Sequence, residues 1–533
     1  MQIKAELGPK TILDMIMAIN KKRLSPKRHY VLSILVTSLL LAPDMNAESN
    51  LLEASIEDIQ SWLEADEITS VELVDFYLAR ISAYDQEGPS LNAIQHLNQN
   101  ARSQAQALDN ERKKSGPRSL LHGIPVLVKD NYETLDAPTT AGSATIKDHW
   151  PKRDSTQVAR LKSAGAIILG KTTMHEFAYG WTTRGSLFGE TRNPYDPTRH
   201  PGGSSGGTGA AVAANFAVVG MGSDTCGSIR VPSAHNNLVG LRGTRGLSSR
   251  YGIIPQVSSR DIGGPLARST RDLAAMLDAT VGYDANDPQT AESYGKIPES
   301  YLRNLRETKL HSLKIGVLSD WFGNQPQHQA VNAVIKNVIQ SLEAKGTKVK
   351  PLTSARLKQL WTETRSPSAF FLDGYEFKRD ISAYVQQFPS LPVHSFSEIA
   401  KSGQLEPLVA KGFSTFLDPK FDSEFTALKT HEQGKLVRTQ LLSLLHDHNV
   451  DFLVYPTATE EAAPVGTEQS HFNCMLSAAS GLPAISVPAG FGESKMPVAI
   501  ELLAEPWAEQ KLLNLAFTIE KLVPSRQLPK HTP

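Results

Sequence analysis

The spacing of apolar positions along the chain changes several times, and each change predicts a different element. From residue 55 to residue 84, apolar side chains recur every three or four positions, which is typical of amphipathic helices. Ser55, with Asp58 three residues later, is a typical helix start, and Ser70 followed by Glu72 begins a second helix. The positions that carry this period are Ile59, Leu63, Leu73, Phe76, Tyr77, Leu78 and Ile81.

Short apolar runs of the strand type alternate with helical segments along the rest of the chain. The predicted strands cover residues 93–97, 124–128, 166–170, 313–318, 451–457, 484–488 and 497–502. The predicted helices cover residues 101–114, 155–164 and 508–522, another helix begins at residue 270, and residues 327–447 are mostly helical. Because strands that alternate with helices pack in layers, the pattern predicts an α/β fold.

A basic and then apolar segment precedes the first predicted helix. Five basic residues between positions 21 and 28 are followed by an apolar run over residues 30–42, and Ala47 is a plausible cleavage position. This order is typical of a secretory signal peptide, and the run is shorter than the about 20 residues that span a bilayer. We therefore expect residues 1–47 to be an extension with a signal peptide at about 21–47, and a secreted or periplasmic protein without stable membrane association. An uncleaved anchor helix and a buried core segment are the alternatives.

Composition excludes one class of partner. The 533-residue chain has 55 basic and 55 acidic residues, so its formal net charge is zero and no basic field is available to attract nucleic acid. Cys226 and Cys474 are too few for a disulfide framework or a four-ligand zinc site. They could form one bridge, but we expect none, because Cys226 lies in a loop that we predict to be catalytic.

Two loops of small residues flank an apolar segment near the middle of the chain. Residues 202–209 read GGSSGGTG, residues 222–228 read GSDTCGS, and a buried helix followed by a strand is predicted for residues 210–219. Glycine allows the backbone to approach other groups closely, so such loops can place hydroxyl groups against the N–H donors of an oxyanion hole. Ordinary turns or a flexible linker are the alternative, but a linker needs neither Asp224 nor Arg230.

Two lysines follow apolar strands and are candidates for a catalytic base. Lys129 ends the run of residues 124–128, and Lys171 follows residues 166–170. A lysine at the end of a buried strand is partly desolvated, which lowers the pKa of its amine and makes the neutral form available as a general base. The pattern by itself does not decide between the two lysines.

The two loops also carry a resemblance to a known family. GGSSGG, the apolar spacer and GSDT-x-GSIR-x-P resemble the signature of the amidase signature family of serine hydrolases, and the resemblance extends from about residue 51 to about residue 523. It implies the amidase signature fold, in which a large twisted mixed β-sheet is flanked by helices on both faces. The implied single domain covers residues 48–533, with a core at about 51–284 and 448–523 and a variable, mostly helical substrate-side region at about 285–447.

The resemblance assigns roles to individual residues. It favours Lys129 over Lys171 as the base, and it makes Ser228 the nucleophile and Ser204, 24 residues earlier, the serine that relays the proton. It also implies a cis peptide bond before Ser204, no metal and no cofactor. The expected oxyanion donors are the N–H groups of Thr225, Cys226, Gly227 and Ser228, and the expected supporting residues are Ser205, Asp224 and Arg230.

Two positions depart from the residues that are common in the family. Cys226 stands where glycine is common, and Gly243 stands where proline is common. Because Cys226 keeps its backbone N–H, we expect the oxyanion hole to survive with a narrower pocket.

Other interpretations fit these residues less well. Ser205 matches the nucleophile elbow G-x-S-x-G, but that elbow must follow a strand, and residues 194–201 contain three prolines. The glycine-rich loop is not followed by the lysine of a P-loop, and it lacks the third glycine of the dinucleotide-binding fingerprint. His175 and Glu176 lack a second histidine at helical spacing, so we expect a structural His175 and no zinc.

These observations predict an enzyme that hydrolyses carboxylic amides to acid and ammonia or amine through an acyl-serine intermediate. We expect a small-molecule or peptide amide as substrate, no nucleic-acid partner, and a monomer or homodimer. The sequence is closer to peptide amidases and acylamidases than to the glutaminase subunit of a tRNA-dependent amidotransferase, which is the first alternative. A non-catalytic binding protein with an amidase fold is the second.

Overall fold

A computed structural model describes residues 51–364, 369–469 and 472–533. The chain divides into two units, Met1–Leu52 and Glu53–Pro533, and the elements below belong to the second. The predicted extension and signal peptide, residues 1–47, lie outside the described residues. Within the described ranges, no helix combines the length and apolar character needed to cross a membrane.

The predicted helices of the large unit begin and end close to the predicted positions, except that the helix predicted after residue 209 begins at Gly206, inside the first predicted loop. Ser55 and Asp58 form the predicted reciprocal cap, in which each backbone N–H donates to the other residue's side chain. The second helix is capped by Thr69 rather than by Ser70, which is its first residue. The helices are α1 (Ile56–Glu64), α2 (Ser70–Ile81), α3 (Ala101–Ser115), α4 (Thr156–Ser163), α5 (Gly206–Ala213), α6 (Arg230–His235), α7 (Thr270–Thr280), α8 (Gln329–Ala344), α9 (Ala355–Thr364), α10 (Ala369–Val385), α11 (Phe396–Lys401), α12 (Pro407–Phe416), α13 (Glu424–Asp447), α14 (Met475–Ser480) and α15 (Glu509–Leu522).

The strands of the described residues are β1 (Ile94–Leu97), β2 (Pro125–Lys129), β3 (Ile167–Thr172), β4 (Arg184–Gly185), β5 (Gly189–Glu190), β6 (Val219–Asp224), β7 (Val239–Arg242), β8 (Ile262–Ala267), β9 (Lys314–Leu318), β10 (Lys348–Leu352), β11 (Phe452–Pro456), β12 (Ala484–Phe491) and β13 (Pro497–Leu503). Eleven of them form one mixed sheet in the order β1-β3-β2-β6-β8-β7-β12-β13-β11-β9-β10, and β4 and β5 form a separate hairpin. Helices flank this sheet, so the predicted α/β class is confirmed.

The parallel part of the sheet positions the predicted chemistry. β2 lies between β3 and β6 and is parallel to both. Because the carboxyl ends of parallel strands meet at one edge of a sheet, Lys129 at the end of β2 comes next to the loop that follows β6. All five residues of β2 and all six of β6 are buried, so this edge is fixed within the core.

Three strands of the 11-stranded sheet were not predicted from the sequence, and each has a composition or a length that hides it. β8 contains Gly263, Gly264 and Pro265, which are uncommon in strands, yet it is paired on both sides by β6 and β7. β7 is only four residues long. β10 lies inside the region predicted to be mostly helical, and it is a largely exposed edge strand that tolerates Pro351 because one side of it is unpaired.

An apolar cluster joins the helical region to the segment beside the site. Phe177 lies 5.8 Å from Phe413 of α12 between ring centroids, and Phe413 lies 5.0 Å from Phe377 of α10. Ala178 belongs to the same cluster. These contacts hold the chain at residues 177–178 against α10 and α12.

Candidate active site

Lys129 is wholly buried and contacts two serines. Its Nζ lies 2.7 Å from Ser204 Oγ, 2.9 Å from Ser223 Oγ and 3.4 Å from the Ser223 carbonyl oxygen. Asn131 Nδ2 donates to Ser223 Oγ at 3.0 Å, which fixes that hydroxyl from the other side. The structure thus brings two of the three predicted chemical groups into direct contact, although they are 75 residues apart in the chain.

The electrostatic environment of Lys129 favours its neutral form. Burial lowers the pKa of the amine from the ordinary value of 10.5 to about 7, although the carboxylates of Asp224 and Asp261 oppose the shift. A large fraction of the amine is therefore unprotonated near neutral pH. The neutral amine can donate to Ser223 and use its lone pair to accept the proton of the Ser204 hydroxyl.

The first glycine-serine loop is held by backbone contacts on both sides. The Gly203–Ser204 peptide bond is cis, as expected, and the Ser204 carbonyl accepts the N–H of His175 at 2.9 Å. Ser205 Oγ donates to the Ser223 carbonyl at 3.2 Å and accepts the Ser223 N–H at 3.3 Å, so it joins the two loops. Gly207 must be glycine, because a Cβ there would lie 2.3 Å from the carbonyl oxygen of Thr173.

Ser228 lies in the turn between β6 and α6 and is 3% exposed. Its hydroxyl forms no hydrogen bond with any residue that the structure describes, so the structure does not join it to Ser204 or Lys129. The preceding Gly227 has a φ of +86°, and a Cβ there would lie 2.9 Å from Cys474 Cβ. The turn therefore requires glycine and leaves the hydroxyl of Ser228 without a competing partner.

The predicted oxyanion donors are only partly available. Asp224 Oδ1 accepts the N–H of Gly227 at 2.8 Å, and Oδ2 accepts the N–H of Ile229 at 3.2 Å. The N–H of Gly227 is therefore engaged, which corrects the prediction that it serves as a free donor. The N–H groups of Thr225, Cys226 and Ser228 form no hydrogen bond within the described ranges, and these three remain available for an oxyanion.

Asp224 is the centre of a buried ionic network. Arg230 Nε lies 3.1 Å from Asp224 Oδ2, and Arg242 Nη1 lies 2.9 Å from Asp224 Oδ1. Burial alone would raise the pKa of Asp224, but the two guanidinium groups outweigh it and lower the pKa. Arg230 also pairs with Glu501 of β13, and Tyr455 donates to the same carboxylate at 2.9 Å. The predicted supporting residues Asp224 and Arg230 thus hold the loop of residues 225–229 in place.

Four residues of the site were not predicted from the sequence. Ser223 and Asn131 contact the lysine and its partner, and Arg242 and Glu501 extend the ionic network. Arg242 and Glu501 could have been recognised from the sequence, because each is a charged residue in an apolar run, VGLR or PVAIELL. A charge that is buried in this way needs a charged partner.

Cys226 and Cys474 form a disulfide, so the expectation that they remain unpaired is wrong. Their Cα atoms are 5.2 Å apart, within the range that a disulfide bridges. The bridge does not obstruct the predicted chemistry, because both cysteine side chains belong to a cluster with Val231 and Phe472, and the N–H of Cys226 stays available. It joins the oxyanion loop to the start of α14, 248 residues later.

The competing Lys171 occupies a different environment. Its Nζ lies 3.3 Å from Asp130 Oδ1 and donates to Thr139 Oγ1 at 2.7 Å and to the Pro138 carbonyl at 3.2 Å. Burial lowers the pKa of Lys171, and Asp130 opposes the shift. All of these partners lie in residues 130–139, and Lys171 contacts neither Ser204 nor Ser223.

His175 has the environment of a structural histidine. Its Nδ1 accepts the N–H of Thr182 at 3.3 Å, and burial lowers its pKa to about 3. Within the part of the chain that the structure describes, no group of three or more histidine, cysteine or acidic side chains could hold a metal ion.

A cavity of about 210 Å³ reaches the end of β6 and the loop that follows it, at Ser223 and Thr225. Asn131, Ser223, Thr225 and Asp261 form part of its polar wall, and apolar side chains form another part, including Ala178 and Ile254. Its position beside the Lys129 contacts gives room for a substrate group.

Comparisons with known proteins assign the chain to a family. The family profile described as Amidase matches residues 72–513. A glutamyl-tRNA(Gln) amidotransferase subunit of Marinomonas sp. is 34% identical over 490 residues, which cover 88% of this chain and 97% of the relative. A probable amidase of Arabidopsis thaliana is 31% identical over 505 residues, which cover 91% and 93%.

Solved structures extend the comparison to the fold. The crystal structure of native peptide amidase from Stenotrophomonas maltophilia superposes with a TM-score of 0.82 at 32% sequence identity, covering 90% of this chain and 98% of that one. The shared fold, together with a family profile that covers most of the chain, leaves one assignment. The protein is a hydrolase that acts on amide carbon–nitrogen bonds, and the chain belongs to the amidase family.

Proposed function

We propose that the protein hydrolyses amides through an acyl-serine intermediate formed on Ser228. Neutral Lys129 accepts the proton of Ser204, Ser204 accepts the proton of Ser228, and Ser228 Oγ bonds to the amide carbonyl carbon. The N–H groups of Thr225, Cys226 and Ser228 stabilise the negative oxygen. The relay then returns the proton to the leaving nitrogen as the carbon–nitrogen bond breaks, and water repeats the sequence to release the acid.

One observation carries this proposal: the 2.7 Å contact between Lys129 Nζ and Ser204 Oγ, two residues that have no exposed surface. A protonated lysine could not accept a proton there, but burial lowers its pKa to about 7. The free hydroxyl of Ser228 supplies a nucleophile that no other described group holds. The relay requires Ser228 Oγ to approach Ser204 Oγ when substrate binds, since catalytic hydrogen bonds often tighten only in the complex.

A set of single variants tests the assignment of roles. We expect Ser228→Ala to abolish amide turnover and to prevent labelling by a fluorophosphonate, which reacts with activated serines. We expect Lys129→Met and Ser204→Ala to lower kcat by about 10³-fold or more while the proteins stay folded, since an unactivated hydroxyl is a weak nucleophile. Ser143→Ala, which removes another buried hydroxyl away from the triad, is the control. Full turnover by Ser228→Ala would overturn the proposal.

The substrate we propose is a peptide amide or a related acylamide rather than glutamine bound for tRNA. The match to peptide amidase in structure supports this choice, and the similar identity to the amidotransferase relative supports the alternative. Ammonia or amine release from C-terminally amidated peptides, aryl amides, aliphatic amides and glutamine separates the two. Turnover of glutamine alone, and only after a partner protein is added, would favour the amidotransferase alternative.

We also infer that the protein works in an oxidising compartment after export. The basic and apolar order of residues 21–42 supports a signal peptide, and the Cys226–Cys474 bridge supports an oxidising environment, where such bonds persist. Amino-terminal sequencing of the mature protein and cell fractionation test this inference. A mature protein that retains residues 21–42 and carries two free thiols would contradict it.

A further inference from the structure

A second cavity of about 340 Å³ has four cationic side chains in its wall. None of its lining residues lines the cavity beside Lys129. It lies among α13, α14 and the loops that follow β7 and precede β8. Its cations are Arg245, Arg260, Lys435 and Arg438, with His431, and Glu292 is the one carboxylate among its described lining residues.

Two of the arginines have only neutral partners. Arg245 Nη1 donates to the Ser259 carbonyl at 2.8 Å, and Arg438 Nη1 donates to the Ser480 carbonyl at 2.9 Å. Neither forms an ion pair within 4.0 Å with a residue in the described ranges. The two side chains converge on Gly481, since a Cβ there would lie 3.7 Å from Arg245 Cβ and 3.9 Å from Arg438 Nη1. The two guanidinium groups are close enough to repel each other, since burial and the nearby Arg245 lower the pKa of Arg438, while Glu292 opposes them.

Arg260 adds a third guanidinium group that is 7% exposed. It pairs with Asp373, and its Nη1 contacts Met475 Sδ at 3.5 Å. Its Nε has no hydrogen-bond partner among the described residues. By contrast, Lys435 is exposed and pairs with Glu432 at 2.7 Å, so the guanidinium groups carry the argument.

Gathering these cations costs folding free energy. Burial lowers the pKa of His431, and Arg245 and Lys435 lower it further, while Glu376 and Glu432 oppose them. Like charges in a partly enclosed space repel each other more strongly than in water. A bound anion would offset the repulsion, and hydrogen bonds from arginine to carboxylate or phosphate are among the strong ones.

Part of the cavity wall is apolar. Met475, Ala478 and Ala479 lie on one face of α14, and Trp507 lines the cavity as well. The volume falls in the range of small-molecule sites and leaves space beyond that of an inorganic anion. We propose that this cavity binds a small molecule that joins one oxoanion, a carboxylate or a phosphate, to an apolar group. The arginines hold the oxoanion, and α14 with Trp507 holds the apolar group.

Calorimetric titration of the full chain tests the site without any amide turnover. The probes are inorganic phosphate, phenyl phosphate and phenylacetate. We expect at least one of the two aryl anions to bind more tightly than inorganic phosphate, and the tighter of the two identifies the head group. Arg245→Gln and Arg438→Gln should each weaken its binding about tenfold, and Arg438→Lys should weaken it less. Arg102→Gln, which removes an exposed arginine paired with Asp75, should leave it unchanged.

A second measurement on the unaltered protein keeps the test valid if a glutamine variant does not fold. The tighter aryl anion should slow modification of Arg245 and Arg438 by phenylglyoxal, as measured by mass spectrometry, and should leave Arg102 unaffected. Failure of all three probes to bind would overturn the proposal. Equal affinities of the Arg245→Gln and Arg102→Gln proteins, or equal modification with and without the anion, would also overturn it.

Discussion

Replacing Lys129 with methionine removes a buried amine and keeps a side chain of similar length. In the folded protein, burial lowers the pKa of this amine from 10.5 to about 7, and Asp224 and Asp261 oppose the shift. In the unfolded chain its pKa returns to the ordinary value. Because the folded state binds the proton less tightly, Lys129 destabilises the protein below pH 10.5, and this cost falls as the pH rises from 7 to 10.5.

The size of the effect follows from the two pKa values. Between them, each pH unit changes the free energy of unfolding by about 1.4 kcal/mol, with a smaller change close to pH 7. The native protein should thus gain about 2 kcal/mol from this group between pH 7 and pH 9, and Lys129→Met should gain none from it. The substitution also leaves Ser204 and Ser223 without their amine partner, at about 1–3 kcal/mol. That second cost does not depend on pH in this range.

Urea denaturation of both proteins at pH 7, 8 and 9 measures the difference. Native minus variant stability should rise by about 2 kcal/mol across the series, because the other titrating groups cancel. Lys521→Met, which removes an exposed lysine paired with Glu307, should follow the native curve. In parallel, kcat/KM of the native enzyme should rise with pH through about 7, since the neutral amine is the base that we propose. Parallel stability curves for the native protein and Lys129→Met would refute the reasoning.

Three further substitutions have distinct expected outcomes. Ser223→Ala removes the hydroxyl that pairs with Lys129 Nζ at 2.9 Å and with Asn131 Nδ2, so it should lower kcat about tenfold and the free energy of unfolding by about 1–3 kcal/mol, and an unchanged kcat would contradict this. Cys474→Ser should lower the free energy of unfolding by about 2–4 kcal/mol, and a reductant should have the same effect on the native protein but none on the variant. Arg230→Met leaves two buried carboxylates without their shared cation and should lower stability by about 3–5 kcal/mol in urea titrations. Adding Glu501→Gln to that variant should recover part of the lost stability, because it removes one of the two unpaired carboxylates. If it recovers none, the Arg230–Glu501 pair does not contribute to stability.

The sequence predicts the parts of the fold that have a regular apolar period. The helices after Ser55, and strands such as β2 and β12, stand where the pattern indicates them. β8 does not show itself, because two glycines and a proline interrupt its period and only its neighbours β6 and β7 determine its pairing. Pairing between distant strands depends on tertiary contacts, which a local pattern does not record.

For the site, the sequence predicts residue types better than contacts. Lys129 and Lys171 have the same local pattern, and both are wholly buried at the ends of neighbouring parallel strands. What separates them is the partner: Ser204 and Ser223 for one, Asp130 for the other. The partner depends on which loop crosses the strand end. The disulfide was missed for the same reason, since the direction of a side chain in a glycine-rich turn cannot be read from spacing.

The ionic network around Asp224 has only a small effect on the protonation of Lys129. A buried aspartate near a lysine would normally favour the protonated amine and leave no base. Here the carboxylate of Asp224 accepts two backbone N–H groups and contacts two guanidinium groups, so its charge is largely compensated beneath the loop. Burial therefore outweighs its attraction for the Lys129 proton, and the pKa falls to about 7. The same network that fixes the proposed oxyanion loop thus favours the neutral form of the neighbouring amine, which the proposed mechanism requires.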